Sequence, residues 1–97
     1  MAEAANIQLN CGGLAVQCQL EAAASAQFYA SYPVKRMMGA AEFVFGLNTI
    51  GPDPIVPLTD FVVKDGHVTV PMGPGLGITV DEAALKKHTL LHEVIKA

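Results

Sequence analysis

Glu42 stands inside the apolar run 40–45, AAEFVF. A carboxyl group is expensive to bury there unless it has a task. Such a group can hold or donate a proton beside a bound molecule, which makes Glu42 the first candidate for chemistry. Cys11 and Cys18 are the chain's two cysteines. They are too few for a disulfide scaffold and, near the mouth of one helix, are read as reduced thiols. A thiol attacks only when ionised, and Cys11 is read as a small residue lining a pocket and Cys18 as core. His88 and His92 have the i, i+4 spacing with which two imidazoles share a metal on one helix face. The motif is H-T-L-L-H, without the glutamate of H-E-x-x-H or a third ligand. Two solvated histidines are therefore expected, with zinc sensing as the minor alternative. Gly73, Gly75 and Gly77 lack the spacing of a phosphate loop, and the acidic pair Asp81 and Glu82 follows them, so this segment is read as a turn. Lys35 and Arg36 are read as a solvated edge beside core methionines, and His67 as purely structural.

The elements that must position these residues follow from local patterning. Residues 1–5 are helix formers closed by Asn6, which tolerates left-handed geometry, and residues 7–10 alternate like a strand. No room for a first helical turn and cap precedes Met1, so the sequence is expected to start inside a structural element. Residues 14–32 are alanine-rich and free of Gly and Pro, with Gln17, Glu21 and Ser25 as a narrow polar stripe. This predicts a helix covered on most sides, entered through Gly12 and Gly13 and closed by Pro33. Residues 40–45 read as a short buried strand, giving an α/β order. Pro52, Pro54 and Pro57 make residues 47–57 an extended connector. Residues 61–63 and 68–70 flank Asp65-Gly66, a dipeptide suited to a tight hairpin. Asp81 is placed to cap a last helix over residues 82–96, whose apolar side is Ala84, Leu85, Leu91, Val94 and Ile95.

Composition narrows the function. The chain has 97 residues, 52% hydrophobic and 15% charged, with a formal charge of −3, a pI near 5.4 and a mean hydropathy of +0.38. Disorder is excluded by this balance, and nucleic-acid binding is disfavoured without a basic cluster. No apolar run reaches a membrane span of about 18–20 residues, and no signal peptide is evident, so a cytoplasmic protein is expected. Few charges are left to cover the surface, which predicts an apolar face meant for other protein.

Residues 65–85, DGHVTVPMGPGLGITVDEAAL, resemble the C-terminal signature of the enolase superfamily, in its mandelate racemase and muconate lactonizing group. Residues 2–10, AEAANIQLN, are similar to the helix end and seventh strand of that barrel, and residues 12–24 to the following helix. Residues 39–46, GAAEFVFG, resemble the eighth strand. The resemblance implies an α/β fold: the C-terminal fragment of a TIM-type β/α barrel, with its last two strands and intervening helix, plus a β-hairpin and C-terminal helix. Residues 1–46 would be the last βα units. Residues 47–97 would be the connector, hairpin and helix that pack on the capping domain.

The resemblance further implies proton abstraction α to a carboxylate, with an enediolate stabilised on Mg²⁺. By resemblance Glu42 is the strand-eight carboxylate beside the substrate. Cys11 stands where racemases and dehydratases carry a histidine base, a departure that leans the parent reaction towards cycloisomerisation. The family's metal ligands and lysine bases lie upstream of anything present here, and a barrel takes about 250 residues. The expected state is thus an inactive segment with no cofactor of its own, whose partner is either the missing N-terminal part or a second copy. The competing expectation is a free-standing, non-catalytic α/β protein that self-associates.

Overall fold

The computed structural model describes residues 1–13, 18–49, 51–56 and 60–95. At the N-terminus the helix-forming residues close one turn on Asn6, whose φ is +57°. Asn6 N donates to Glu3 O (3.1 Å) and Ile7 N to Ala2 O (2.9 Å), the paired bonds that end a helix through a left-handed residue. The chain then extends, and Leu9 forms a parallel bridge with Met37. Leu9 N donates to Arg36 O (3.1 Å) and Met38 N to Leu9 O (2.7 Å).

This bridge corrects the expected position of the second strand. The parallel partner of residues 7–10 is Met37, and the run 40–45 is not a strand: Glu42–Gly46 is a 3₁₀ helix. Gly39, at φ +83°, breaks the extended chain. The i→i+3 bonds from Val44 N to Ala41 O (3.2 Å) and Leu47 N to Val44 O (3.1 Å) then replace ladder bonds. Phe43 and Leu47 face inward, at 7% and 4% exposure, and Gly46 beside Leu47 is buried as well, a pair of neighbours that an alternating strand would send to opposite faces. Among the described residues, the last two strands expected of a barrel are thus reduced to a single bridge. Helix and sheet are both present, and the class is mixed α/β.

Helix α1 spans Gln19–Ser31, and the expected residues 14–17 of it lie outside the described ones. It ends as predicted, with Tyr32 extended before Pro33. Gln19, Ala22, Ala23 and Ala26 form its buried face, at i, i+3, i+4 and i+7. Leu20 and Phe28 are exposed, so the helix is covered on one side rather than on most. Ser25, assigned to a polar stripe, is buried instead. Three small alanines let the 3₁₀ helix approach closely, and Phe43, Leu47 and Phe61 complete the core with partly buried Tyr29, Val44, Val68, Leu76 and Ile78.

The hairpin forms as expected but shorter. Strands β1 (Val63–Lys64) and β2 (His67–Val68) pair antiparallel, Val63 with Val68 and Lys64 with His67. Asp65 and Gly66 take φ of +49° and +75°, as a two-residue turn of this kind requires. At Gly77 (φ +75°) an added Cβ would lie 2.6 Å from Pro71 Cβ and 2.8 Å from its carbonyl carbon. Only glycine fits there.

Helix α2 is Glu82–His88, capped by Asp81, whose side chain accepts from Ala84 N at 2.9 Å. Asp81 N donates to Ile55 O (2.7 Å) and ties the helix to the connector. The expected continuation towards residue 96 fails at Thr89, which is extended (ψ 124°). No residue of α2 is buried. A short helix holds in water mainly through a packed face, and this one lacks it. Leu91, Val94 and Ile95 are therefore exposed outside the helix. Among the described residues no helix is long and apolar enough to cross a membrane.

Candidate active site

Chemistry-bearing side chains gather where α1 meets the 3₁₀ helix Glu42–Gly46. The parallel bridge carries Cys11 and Glu42 past the same end of the paired segments, since both follow the bridged residues Leu9 and Met37. Cys11 Sγ donates to Ser25 Oγ at 3.5 Å. Gly13 N donates to Glu42 Oε2 at 2.7 Å, the short distance of a bond to a charged or strongly polar acceptor. The Tyr29 hydroxyl donates to Ala40 O at 3.1 Å, and its ring packs on Phe43 with centroids 5.4 Å apart. Glu42 is half-buried, so its carboxyl is both anchored and accessible.

Tyr29 marks the electrostatics of this corner. Its phenol is held above the usual value near 10, first by burial, then by the negative charge available at Cys11 and at Glu42. The hydrogen bond from the Cys11 backbone opposes this without cancelling it. Tyr29 is thus a neutral hydrogen-bond donor at physiological pH, and it fixes the backbone two residues ahead of Glu42. The bond from Gly13 N fixes the Oε2 end of the Glu42 carboxyl. The arrangement suits orienting or donating to an oxygen atom.

Ser25, Tyr29 and Asp53 are contributors that local patterning missed. Ser25 and Tyr29 lie four apart on α1, and the alanine face that includes positions 22 and 26 was the available signal. Asp53 supplies the cap that Cys18 cannot: no side chain of the N-cap residue bonds the helix end, and Asp53 Oδ2 accepts from Gln19 N at 2.7 Å. Its Oδ1 accepts from Ile55 N (2.8 Å) and Val56 N (3.1 Å). A carboxylate at a helix N-terminus is favoured by the exposed N–H groups and the helix dipole. No sequence-local rule places residue 53 at residue 19.

The other candidates lie elsewhere. His88 closes α2 while His92 lies beyond it, so the two no longer share a helix face and the expected geometry for a shared metal is lost. His67 Nδ1 lies 2.8 Å from Asp65 O within the hairpin turn. Among the described residues no group of three or more His, Cys, Asp or Glu could hold a metal ion. The described residues do not fit a Mg²⁺ centre.

The family model described as enolase C-terminal domain-like matches residues 1–84. Comparison with curated proteins and with solved structures gives no match.

Proposed function

The chain belongs to the enolase C-terminal domain-like family, and from this we propose that it is the closing segment of a β/α-barrel enzyme similar to the mandelate racemase and muconate lactonizing group. The parent reaction is proton abstraction α to a small substrate's carboxylate. A base outside this chain takes the proton, and the electron pair left behind spreads over the carboxylate as an enediolate. Glu42 serves as the carboxyl beside the substrate, sharing a hydrogen bond with an enediolate oxygen. Cys11 walls the pocket. The carrying observation is the bond from Gly13 N to Glu42 Oε2 (2.7 Å), which fixes one oxygen of the half-buried carboxyl.

The chain alone is inactive on this reading, because metal ligands and lysine bases belong to other parts of the barrel. Incubation with Mg²⁺ and a panel of α-hydroxy acids in deuterated water should give no α-proton exchange. Metal-dependent exchange by the 97 residues would overturn the inactivity. When upstream barrel segments are supplied, exchange should appear, and Glu42→Ala should lower its rate about 10²–10³-fold, the usual loss for one oxyanion donor. An unchanged rate would remove Glu42 from the mechanism.

A second reading, self-association without catalysis, is favoured by residues beyond the family match. Leu90, Leu91, Val94 and Ile95 are 102%, 77%, 71% and 92% exposed. The chain presents 7293 Å² of surface, where a compact monomer of this mass presents about 5,300 Å². That excess exceeds the roughly 800 Å² per partner of a standard interface. A second copy covering residues 85–95 would make a stable dimer, visible by light scattering. A monomer at high concentration, unchanged by Leu91→Asp, would refute it.

A further inference from the structure

The parallel pair opens after a single rung, and a side chain stands where it opens. Leu9 N donates to Arg36 O and Met38 N to Leu9 O. In a continued parallel ladder the next rung would join Cys11 N to Met38 O and Ala40 N to Cys11 O. The bridge is instead isolated, and Gly39 at φ +83° turns the chain just where that rung would form. The Tyr29 hydroxyl bonds both chains there. It accepts from the Cys11 backbone N–H and donates to Ala40 O at 3.1 Å. Two hydrogen bonds in series through one oxygen span up to about 6 Å, against about 2.9 Å for a direct rung. The phenol therefore holds the two chains splayed by about one hydrogen-bond length.

The hydroxyl can set this spacing because its ring is itself fixed. Tyr29 lies on α1 one turn after the buried Ser25 and Ala26. Its ring packs on Phe43 with centroids 5.4 Å apart and meets Phe28 edge-on at 6.3 Å. Phe43 adjoins Glu42, and Glu42 N donates to the same Ala40 O that the phenol holds (3.0 Å). On the other chain, Cys11 is followed within two residues by Gly13, whose N–H meets Glu42 Oε2 at 2.7 Å. Both arms that close on the Gly13–Glu42 bond thus start from backbone atoms tied to one hydroxyl.

We propose that Tyr29 is a positioning residue, whose hydroxyl holds the Cys11 and Ala40 backbones at the spacing that lets Gly13 N meet the Glu42 carboxyl. In catalysis it acts through Glu42, and to that extent it rests on the reading of Glu42 as the carboxyl beside the substrate. A rate unmoved by Glu42→Ala would end that reading, whereas the positioning itself is read at the Gly13 amide.

Tyr29→Phe and Glu42→Ala in the 97-residue protein, followed by NMR and amide hydrogen exchange, test this. Glu42→Ala gives the Gly13 N–H resonance without its acceptor. Tyr29→Phe keeps the ring and removes both hydroxyl bonds, and should move the Gly13 resonance towards that position. Exchange at Gly13 should quicken by about tenfold or more relative to Ala23 in α1. A merely structural loss would speed both amides together, since global opening exposes every site. Should Tyr29→Phe lose its circular dichroism, the unmutated protein carries the test. A hydroxyl proton held on Ala40 O should then be visible, with cross-relaxation to the Cys11 amide, where a free phenol exchanges too fast to be seen. The proposal is overturned if the Gly13 resonance keeps its parent position in Tyr29→Phe, or if Gly13 and Ala23 accelerate equally. Where the variant is unfolded, absence of that hydroxyl proton overturns it.

Discussion

Replacing Asp53 by alanine should unfasten α1 from the connector. The carboxylate accepts from Gln19 N at 2.7 Å, Ile55 N at 2.8 Å and Val56 N at 3.1 Å. Losing a helix N-cap costs about 1 kcal/mol. The two turn bonds are partly reachable by water and add about 0.5–1 kcal/mol each, towards the low end for bonds to a charged acceptor. The expected loss is about 2–3 kcal/mol, a large share of the roughly 5–15 kcal/mol that holds a domain of this size. At about 4–8 °C per kcal/mol, the melting midpoint should fall by about 10–20 °C. Asp53→Asn retains one oxygen for the turn and places an NH₂ group against the helix, so it should lose about 1 kcal/mol. Denaturant unfolding would rank the proteins parent, Asn, Ala, and amide exchange at Gln19 should accelerate in both variants. An alanine variant within about 0.5 kcal/mol of the parent, or an asparagine variant as weak as alanine, would refute the reasoning.

Further outcomes follow from the same contacts. Tyr29 holds its phenol above the ordinary value near 10 through burial and the neighbouring Cys11 and Glu42. Folding therefore favours its protonated form: the associated stability is fully present below about pH 10 and is lost as pH rises through the raised value. Absorbance titration against Tyr29→Phe should show this tyrosine ionising later than a free phenol. Gly77→Ala should destabilise more than Gly66→Ala by denaturant unfolding. Both glycines have φ of +75°, but the added Cβ meets Pro71 at 2.6 Å at position 77 and nothing within 4 Å at position 66. Stoichiometric zinc uptake lost in His88→Ala would contradict the separation of His88 and His92 by the end of α2, and calorimetry should find none.

Much of the local structure was legible in residue chemistry. Asn6 ended a helical turn, Pro33 followed the end of α1, Asp65-Gly66 made the hairpin and Asp81 capped α2, each through a rule acting over a few residues. Non-local packing decided what those rules could not. The run 40–45 has the composition of a buried strand, but Gly39 at φ +83° breaks the extended chain before it, and i→i+3 bonds close a 3₁₀ coil whose Phe43 packs against the alanine face of α1. Residues 89–95 have helical spacing without a surface to pack on, so α2 stops at His88.

The candidate site divides the same way. By itself the amino-acid sequence determined the family, through the ordered turn and cap residues of 65–85, and singled out Glu42 as a carboxyl in apolar company. Tertiary structure alone decided what Glu42 touches, because Gly13 lies 29 residues away, and it alone brought Ser25 and Tyr29 to the same corner. Lys35 stays exposed and Arg36 half-buried beside Met37, the solvated edge that residue chemistry predicts. Periodicity specifies which face of a segment is apolar. Only the meeting of segments distant in sequence specifies which donors and acceptors that face confronts.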